Sequence, residues 1–134
     1  MKIVVVVDAN IILSALLGGK PSSILFDPKF NFVTTSFTIK EVEKYLPRVE
    51  KKIGADREKI EELLNKLPLT VYSKDFYKDY LKEAKKQMGD IDPDDVKILA
   101  LAIKLETYVW SQDKDFEEVD YTKVLKTYDF INED

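Results

Sequence analysis

The sequence predicts a single α/β domain, a sandwich organised around a mostly parallel sheet. Three observations point to it. Strand-like and helix-like segments alternate along the chain, the pattern of βαβ units. The first strand, Ile3-Val4-Val5-Val6-Val7, is an unbroken β-branched run, as expected of a central parallel strand buried on both faces. The chain has 134 residues, 45% of them hydrophobic, which suffices for one core and leaves too little for two.

The first strand feeds directly into a helix over 10–17, where Ile11, Ile12, Ala15 and Leu16 fall at helical spacing and Gly18-Gly19 ends the run. Residues 30–34 read as a second strand. Ser36 or Thr38 then caps a helix over 36–50, with Ile39, Val42, Tyr45 and Leu46 on one face and Pro47 kinking it or ending it early. Beyond Gly54, Asp56 caps a helix over 56–67 that Pro68 stops, and the pair forms a helical arm over 36–67. A short strand at Leu69–Tyr72 precedes a helix over 75–88, terminated by Gly89. Asp92-Pro93-Asp94-Asp95 opens a further helix to Leu105, since Asp is a good cap and Pro a favoured first residue. A strand over 107–110, a turn over 111–116 and a last strand over 123–127 complete the order. No repeat, linker or low-complexity tract interrupts it, so residues 1–134 are expected to form one domain.

Composition narrows the chemistry. There is no cysteine, which excludes disulfides, cysteine nucleophiles and thiolate zinc sites. There is no histidine either, which removes the usual general base and every imidazole metal ligand. Hydrolysis must then rest on carboxylates, hydroxyls, lysines or a metal bound through oxygen. The net charge is −4, so any affinity for nucleic acid has to come from a local basic patch. Apolar runs are too short for a signal peptide or a membrane span, and the expectation is a cytoplasmic protein without a membrane partner.

The acidic residues fall where such a fold places its sites. In open α/β sheets these form at the carboxyl ends of the strands. Asp8 ends the first strand, and Asp113 and Asp115 follow the strand that ends at Trp110. Asp92, Asp94 and Asp95 open a helix, and Glu41 lies early in the helix after the second strand. Right-handed crossovers bring all of these to one rim. Each also has a purely structural explanation. Asp8 and Asp92 are good caps, Asp94 and Asp95 suit a helix N-terminus, and Asp113 and Asp115 suit an Asx turn. Thr38-Ile39-Lys40-Glu41 fits a capping box. The joint pattern argues further. Four carboxylates within ~5 Å of one another repel by about 3 kcal/mol per pair at an effective dielectric of ~20. A cluster of that kind must take up protons or bind a cation, and hard oxygen ligands select Mg²⁺ or Mn²⁺. A cation held that way can activate water and stabilise a phosphate oxyanion.

Four segments carry a resemblance. Val4-Val5-Val6-Val7-Asp8-Ala9-Asn10 looks like an opening strand with a D-x-N/S motif, and Val33-Thr34-Thr35-Ser36 with Glu41 looks like a strand, a Thr-Ser helix start and an acid. Asp94-Asp95-Val96-Lys97-Ile98-Leu99-Ala100-Leu101-Ala102 is similar to a D-x-x-x-x-A-x-A helix, and Val109-Trp110-Ser111-Gln112-Asp113-Lys114-Asp115-Phe116 to a T-x-D-x-D-F segment. In that order, over nearly the whole chain, they resemble the PIN-domain family of metal-dependent ribonucleases, and among its branches the VapC-like toxins. The resemblance implies a three-layer α/β/α sandwich. It also implies a metal-dependent endoribonuclease for single-stranded RNA, a VapC-like toxin or an RNA-processing nuclease, leaving 5′-phosphate and 3′-hydroxyl ends. Asp8, Glu41, Asp95 and Asp113 match the family's metal-binding acids. Asp8, Asp95 and Asp113 would hold the main Mg²⁺ or Mn²⁺, while Glu41 would hold a second ion or position the attacking water. Asn10, Ser111, Asp92, Asp94 and Asp115 match or neighbour polar positions that orient those carboxylates; Ser111 stands where the family often has threonine. The implied partners are an RNA substrate, a small antitoxin and a second copy of the chain in a homodimer.

Other readings compete. An aspartyl phosphatase of the haloacid-dehalogenase type needs an acid where Asn10 stands, and a response-regulator receiver needs an acidic neighbour that Asp8 lacks. A non-catalytic PIN module that binds RNA or a protein partner is the alternative from another class; the presence of all four acids argues against it. Lys20, Lys40, Lys97 and Lys114 lie near the motif segments and could contact phosphate, though solvated surface is the simpler reading. Some of the tyrosines and phenylalanines could stack bases, but most are expected in the core, with Trp110 among them.

Overall fold

The computed structural model describes residues 2–88, 92–119 and 123–131. Five strands, β1 (Ile3–Val7), β2 (Phe30–Thr35), β3 (Leu69–Tyr72), β4 (Tyr108–Trp110) and β5 (Val124–Leu125), form one sheet in the order β3-β2-β1-β4-β5. Every pairing is parallel, so the expectation of a mostly parallel sheet is met in its strictest form. From β1 the chain moves outward through β2 to β3, then returns to the other side of β1 for β4 and β5. The carboxyl ends of β1 and β4 therefore flank the point where strand order reverses, where crevices open in sheets of this type.

The β1 run buries both faces of the sheet. Val5 and Val7 point to one side, where they join Phe32, Trp110, Ile11, Ile12, Val42, Leu46, Val49 and Ile60 in one core. Val6 points to the other and joins Val33, Val109, Tyr77, Met88, Ile98, Leu99 and Leu101 in a second. Helices cover the first face with α1 (Ala9–Leu16), α3 (Ser36–Lys44), α4 (Leu46–Ile53) and α5 (Arg57–Lys66), and the second with α7 (Leu81–Met88) and α8 (Pro93–Leu105). The result is an α/β/α sandwich. Helix α8 lies against the sheet and against α7, which explains its nearly unbroken apolar sequence. Truncating a fully buried side chain there, such as Leu99→Ala, costs about 2–5 kcal/mol.

Several boundaries differ from the sequence reading, each for a local reason. Thr35, not Ser36 or Thr38, is the N-cap of α3, and its Oγ1 accepts from the Thr38 N–H at 2.9 Å. Thr38 thus sits inside the first turn, and the capping box with Glu41 does not form. The expected helix over 36–50 breaks at Tyr45 into α3 and α4, because Pro47 suits the first turn of a new helix better than the interior of an old one. Gly54 ends α4 at φ 67°, a left-handed conformation that glycine adopts without strain. Asp56 occupies the cap position of α5, but its side chain makes no capping bond. The helix expected over 75–88 splits into α6 (Lys74–Tyr77), a 3₁₀ turn (Lys78–Tyr80) and α7. Gly89 lies outside the described residues. Two short helices were not foreseen, α2 (Pro21–Ile24) and α9 (Thr127–Ile131). The latter shortens the last strand to Val124–Leu125. In α9, Thr127 Oγ1 accepts from the buried Trp110 indole at 3.1 Å and Phe130 packs 4.4 Å from the indole centroid. Trp110 is core, as expected. Among the described residues, no helix is long and apolar enough to cross a membrane.

Candidate metal centre

Three elements deliver carboxylates to the reversal point. Asp8 follows β1 and caps α1; its Oδ1 accepts from the Ala9 N–H at 2.7 Å. Pairing of β1 with β4 sets Ser111 beside it, and the Ser111 hydroxyl donates to Asp8 Oδ2 at 2.7 Å. The same hydroxyl accepts from the Asp113 N–H at 3.0 Å and from Asn10 Nδ2 at 3.4 Å, while Asn10 Oδ1 accepts from the Gln112 N–H at 3.4 Å. Asp113 caps the 3₁₀ turn Lys114–Glu118 through Oδ1, which accepts from the Asp115 N–H at 3.0 Å. The third element is α8. Asp92 caps it, accepting from the Asp94 N–H at 2.9 Å, and Asp95 in its first turn projects into the same space.

The carboxylate oxygens of Asp8, Asp95 and Asp113 lie within 4.8 Å of one another, and Asp8 and Asp95 are buried. A second trio, Asp92, Asp95 and Asp115, shares Asp95 and meets the same distance. Among the described residues, Asp95 Oδ2 is buried with no hydrogen-bond partner. Burial, then the negative charges of Asp8 and Asp113, then a carboxyl contact with Asp115 push the Asp95 pKa from 3.8 to about 9. Burial likewise raises Asp8, against the opposing hydrogen bonds from Ser111 and Ala9. A bare trio of this kind is either protonated or neutralised by a cation. The unpartnered Asp95 oxygen, aligned with two other carboxylates and no nitrogen or sulfur donor, fits a hard divalent ion such as Mg²⁺ or Mn²⁺.

The carboxylates open into a cleft of about 210 Å³ whose walls include Asp8, Asn10, Asp92, Asp94, Asp95 and Asp113, with Phe37, Thr38, Glu41 and Tyr45 opposite. Glu41 faces the cleft but stands outside both trios, with Lys44 Nζ 3.7 Å away. Asp94 also lines the cleft, half exposed and 3.5 Å from Lys97. Of the lysines singled out, Lys97 alone makes contacts at the rim; Lys20, Lys40 and Lys114 do not line the cleft. The sequence reading missed Phe37 and Tyr45, exposed aromatics where core positions were expected. Their four-residue spacing from Glu41 was the available signal.

A comparison with curated protein sequences finds no match. Among solved structures, the chain is similar to one described as VapBC2 from Rickettsia felis bound to a DNA fragment from their promoter, with a TM-score of 0.67 at 13% identity over 92% of this chain and 98% of that one. At that identity the likeness is one of fold. The family profile of the PIN domain matches residues 6–128, which takes in Asp8, Glu41, Asp95 and Asp113. With the parallel sheet, the acidic cleft at its reversal point and this match, the chain belongs to the PIN domain family.

Proposed function

We propose that the chain is a Mg²⁺- or Mn²⁺-dependent endoribonuclease for single-stranded RNA, a VapC-like toxin that works in the cytoplasm as a homodimer and is restrained by a small antitoxin. Membership of a family whose members are generally nucleases supports the reaction class. One observation carries the metal dependence: a buried Asp95 oxygen, unpartnered among the described residues, beside Asp8 and Asp113. Asp8, Asp95 and Asp113 would hold the ion, with Asp92 and Asp115 extending the acidic surface around Asp95. The bound ion would supply Lewis-acid polarisation of a phosphodiester oxygen and an acidified water. Ser111 keeps Asp8 aimed, since its hydroxyl is committed to Asp8 and to the Asp113 backbone, and Asn10 restrains Ser111 in turn. Glu41, on the wetter wall, orients the attacking water and takes its proton.

Cleavage of a mixed-sequence single-stranded RNA with Mg²⁺, Mn²⁺ or EDTA tests this reading, with an identically purified Asp95→Asn protein alongside. Metal-dependent cutting by the wild type alone is expected. Equal cutting by both proteins, or none by either over a broad panel of RNAs, overturns the reading; the second result returns the chain to a non-catalytic binding module.

A further inference from the structure

We propose that Phe37 and Tyr45 are base-stacking platforms at either end of the cleft, with Arg48 and Lys52 taking the phosphate beyond Tyr45, so that RNA is gripped through its unpaired bases. The inference rests on the preceding reading for the polymer that enters the cleft. Phe37, Glu41 and Tyr45 are spaced by four residues, share one side of α3 and its C-cap, and all line the cleft. At 1.5 Å rise per residue the two rings stand about 12 Å apart along the helix axis, astride Glu41. Both rings are exposed, 42% for Phe37 and 38% for Tyr45, whereas Phe32, Tyr77 and Trp110 are in the core.

Each exposed ring has a cation beside it. Lys97 Nζ lies 3.2 Å from the Phe37 centroid, and Arg48 Cζ lies 5.4 Å from that of Tyr45. Lys97 is also paired with Asp94, but Arg48 and Lys52 have no carboxylate within ion-pair distance among the described residues. They lie four residues apart on α4 and, with Leu13, Leu17, Tyr45 and Val49, line an apolar hollow of about 380 Å³. The hollow shares Leu13 and Tyr45 with the acidic cleft, so the two adjoin. In a chain of net charge −4, two unpaired cations at one end of a carboxylate cleft complement a polyanion entering from that end. A flat apolar surface next to a cation is what a base and its phosphate present in complement. A duplex hides the base faces that such a ring would need.

The test is binding of a short fluorescein-labelled single-stranded RNA, read by fluorescence anisotropy in an Asp95→Asn background with Mg²⁺. Phe37→Ala and Tyr45→Ala are each expected to weaken binding about tenfold, while Tyr45→Phe stays within about twofold. Arg48→Gln with Lys52→Gln should flatten the salt dependence of binding. The same RNA in a duplex, or with abasic sites, should bind as weakly as it does to the Tyr45→Ala protein. Circular dichroism controls for folding. The proposal is overturned by binding within about twofold of the parent for both alanine variants, by abasic RNA that binds as tightly as intact RNA, or by no RNA binding at all. A hollow that instead pairs with a second copy, seen as a Tyr45-sensitive dimer in sedimentation without an RNA effect, overturns it too. Stacking-dependent binding without metal-dependent cutting by the wild type would sink the nuclease reading and keep the platforms. Cutting without stacking-dependent binding would do the reverse.

Discussion

One side of the cleft carries Asp8 after β1 and Asp95 on α8, with Ser111 behind Asp8, all buried, whereas the α3 side carries Phe37, Glu41 and Tyr45, all in contact with solvent. Burial and neighbouring charge push up both Asp8 and Asp95. The contrast comes from where each side chain is rooted. Asp8 and Ser111 extend from adjacent central strands and cannot move apart without breaking the sheet, while Glu41 extends from a helix surface beside Lys44. Rigid, dehydrated groups suit an ion that needs fixed ligands, and hydrated, exposed ones suit a substrate that must come and go.

Asp95→Asn should break the contrast most severely. If Asp95 holds the ion as proposed, its loss is expected to cost RNA cleavage at least about 100-fold, since even outer partners of metal ligands cost 10–100-fold. Next in size is the ion itself. A divalent cation at about 100 times its Kd adds about 2.7 kcal/mol to stability, a rise of several degrees in Tm that Asp95→Asn should abolish. The pH dependence follows from the same groups. Asp95 binds its proton up to about pH 9 in the folded chain but only to about 4 when unfolded, so the folded state holds the extra proton between those values. Without metal, stability should therefore fall as pH rises through that window, with a lower Tm at about pH 8.5 than at about pH 5 in a thermal melt. Added Mg²⁺ should shrink the difference, because the ion takes the proton's place. Ser111→Ala comes third, with cleavage down about 10–100-fold and Asp8 left one partner short. Glu41→Gln should be mildest at the ion, leaving the metal-induced rise in Tm unchanged while slowing cleavage about 100-fold, as loss of a general base does; a lost rise would move Glu41 onto the ion.

Much of this was legible before the fold was known. An unbroken β-branched run of five residues favours a strand buried on both faces, so Ile3–Val7 placed the sheet, and with it Asp8 at its carboxyl edge. The Asp92-Pro93 cap and apolar run marked α8 equally well, because cap chemistry and periodicity agree there. What escaped reading depends on distant partners. Thr127 and Phe130 form a helix that completes Trp110, a residue on another strand. The break within 75–88 falls at a fully buried Tyr77 with no glycine or proline to announce it. Thr38 and Glu41 satisfy a capping pattern in the sequence, but Thr35 reaches the same N–H first. Phe37 and Tyr45 resemble core residues by type, and only the packing of α3 leaves them outside.

Asp8 and Ser111 are 103 positions apart in the chain, and their hydrogen bond depends on β1 lying beside β4. Synthesis from the N-terminus therefore yields a nascent chain that holds Asp8 and Glu41 long before Asp95 and Asp113 exist. On the proposed reading, a protein made by a machine built of RNA stays harmless to it until Asp113 has been added. Fragments that end before β4 inherit the same innocence. The order of strands in the sheet thus acts as a clock, arming the molecule only once β4 and Asp113 have followed β1 and Asp8 out of synthesis.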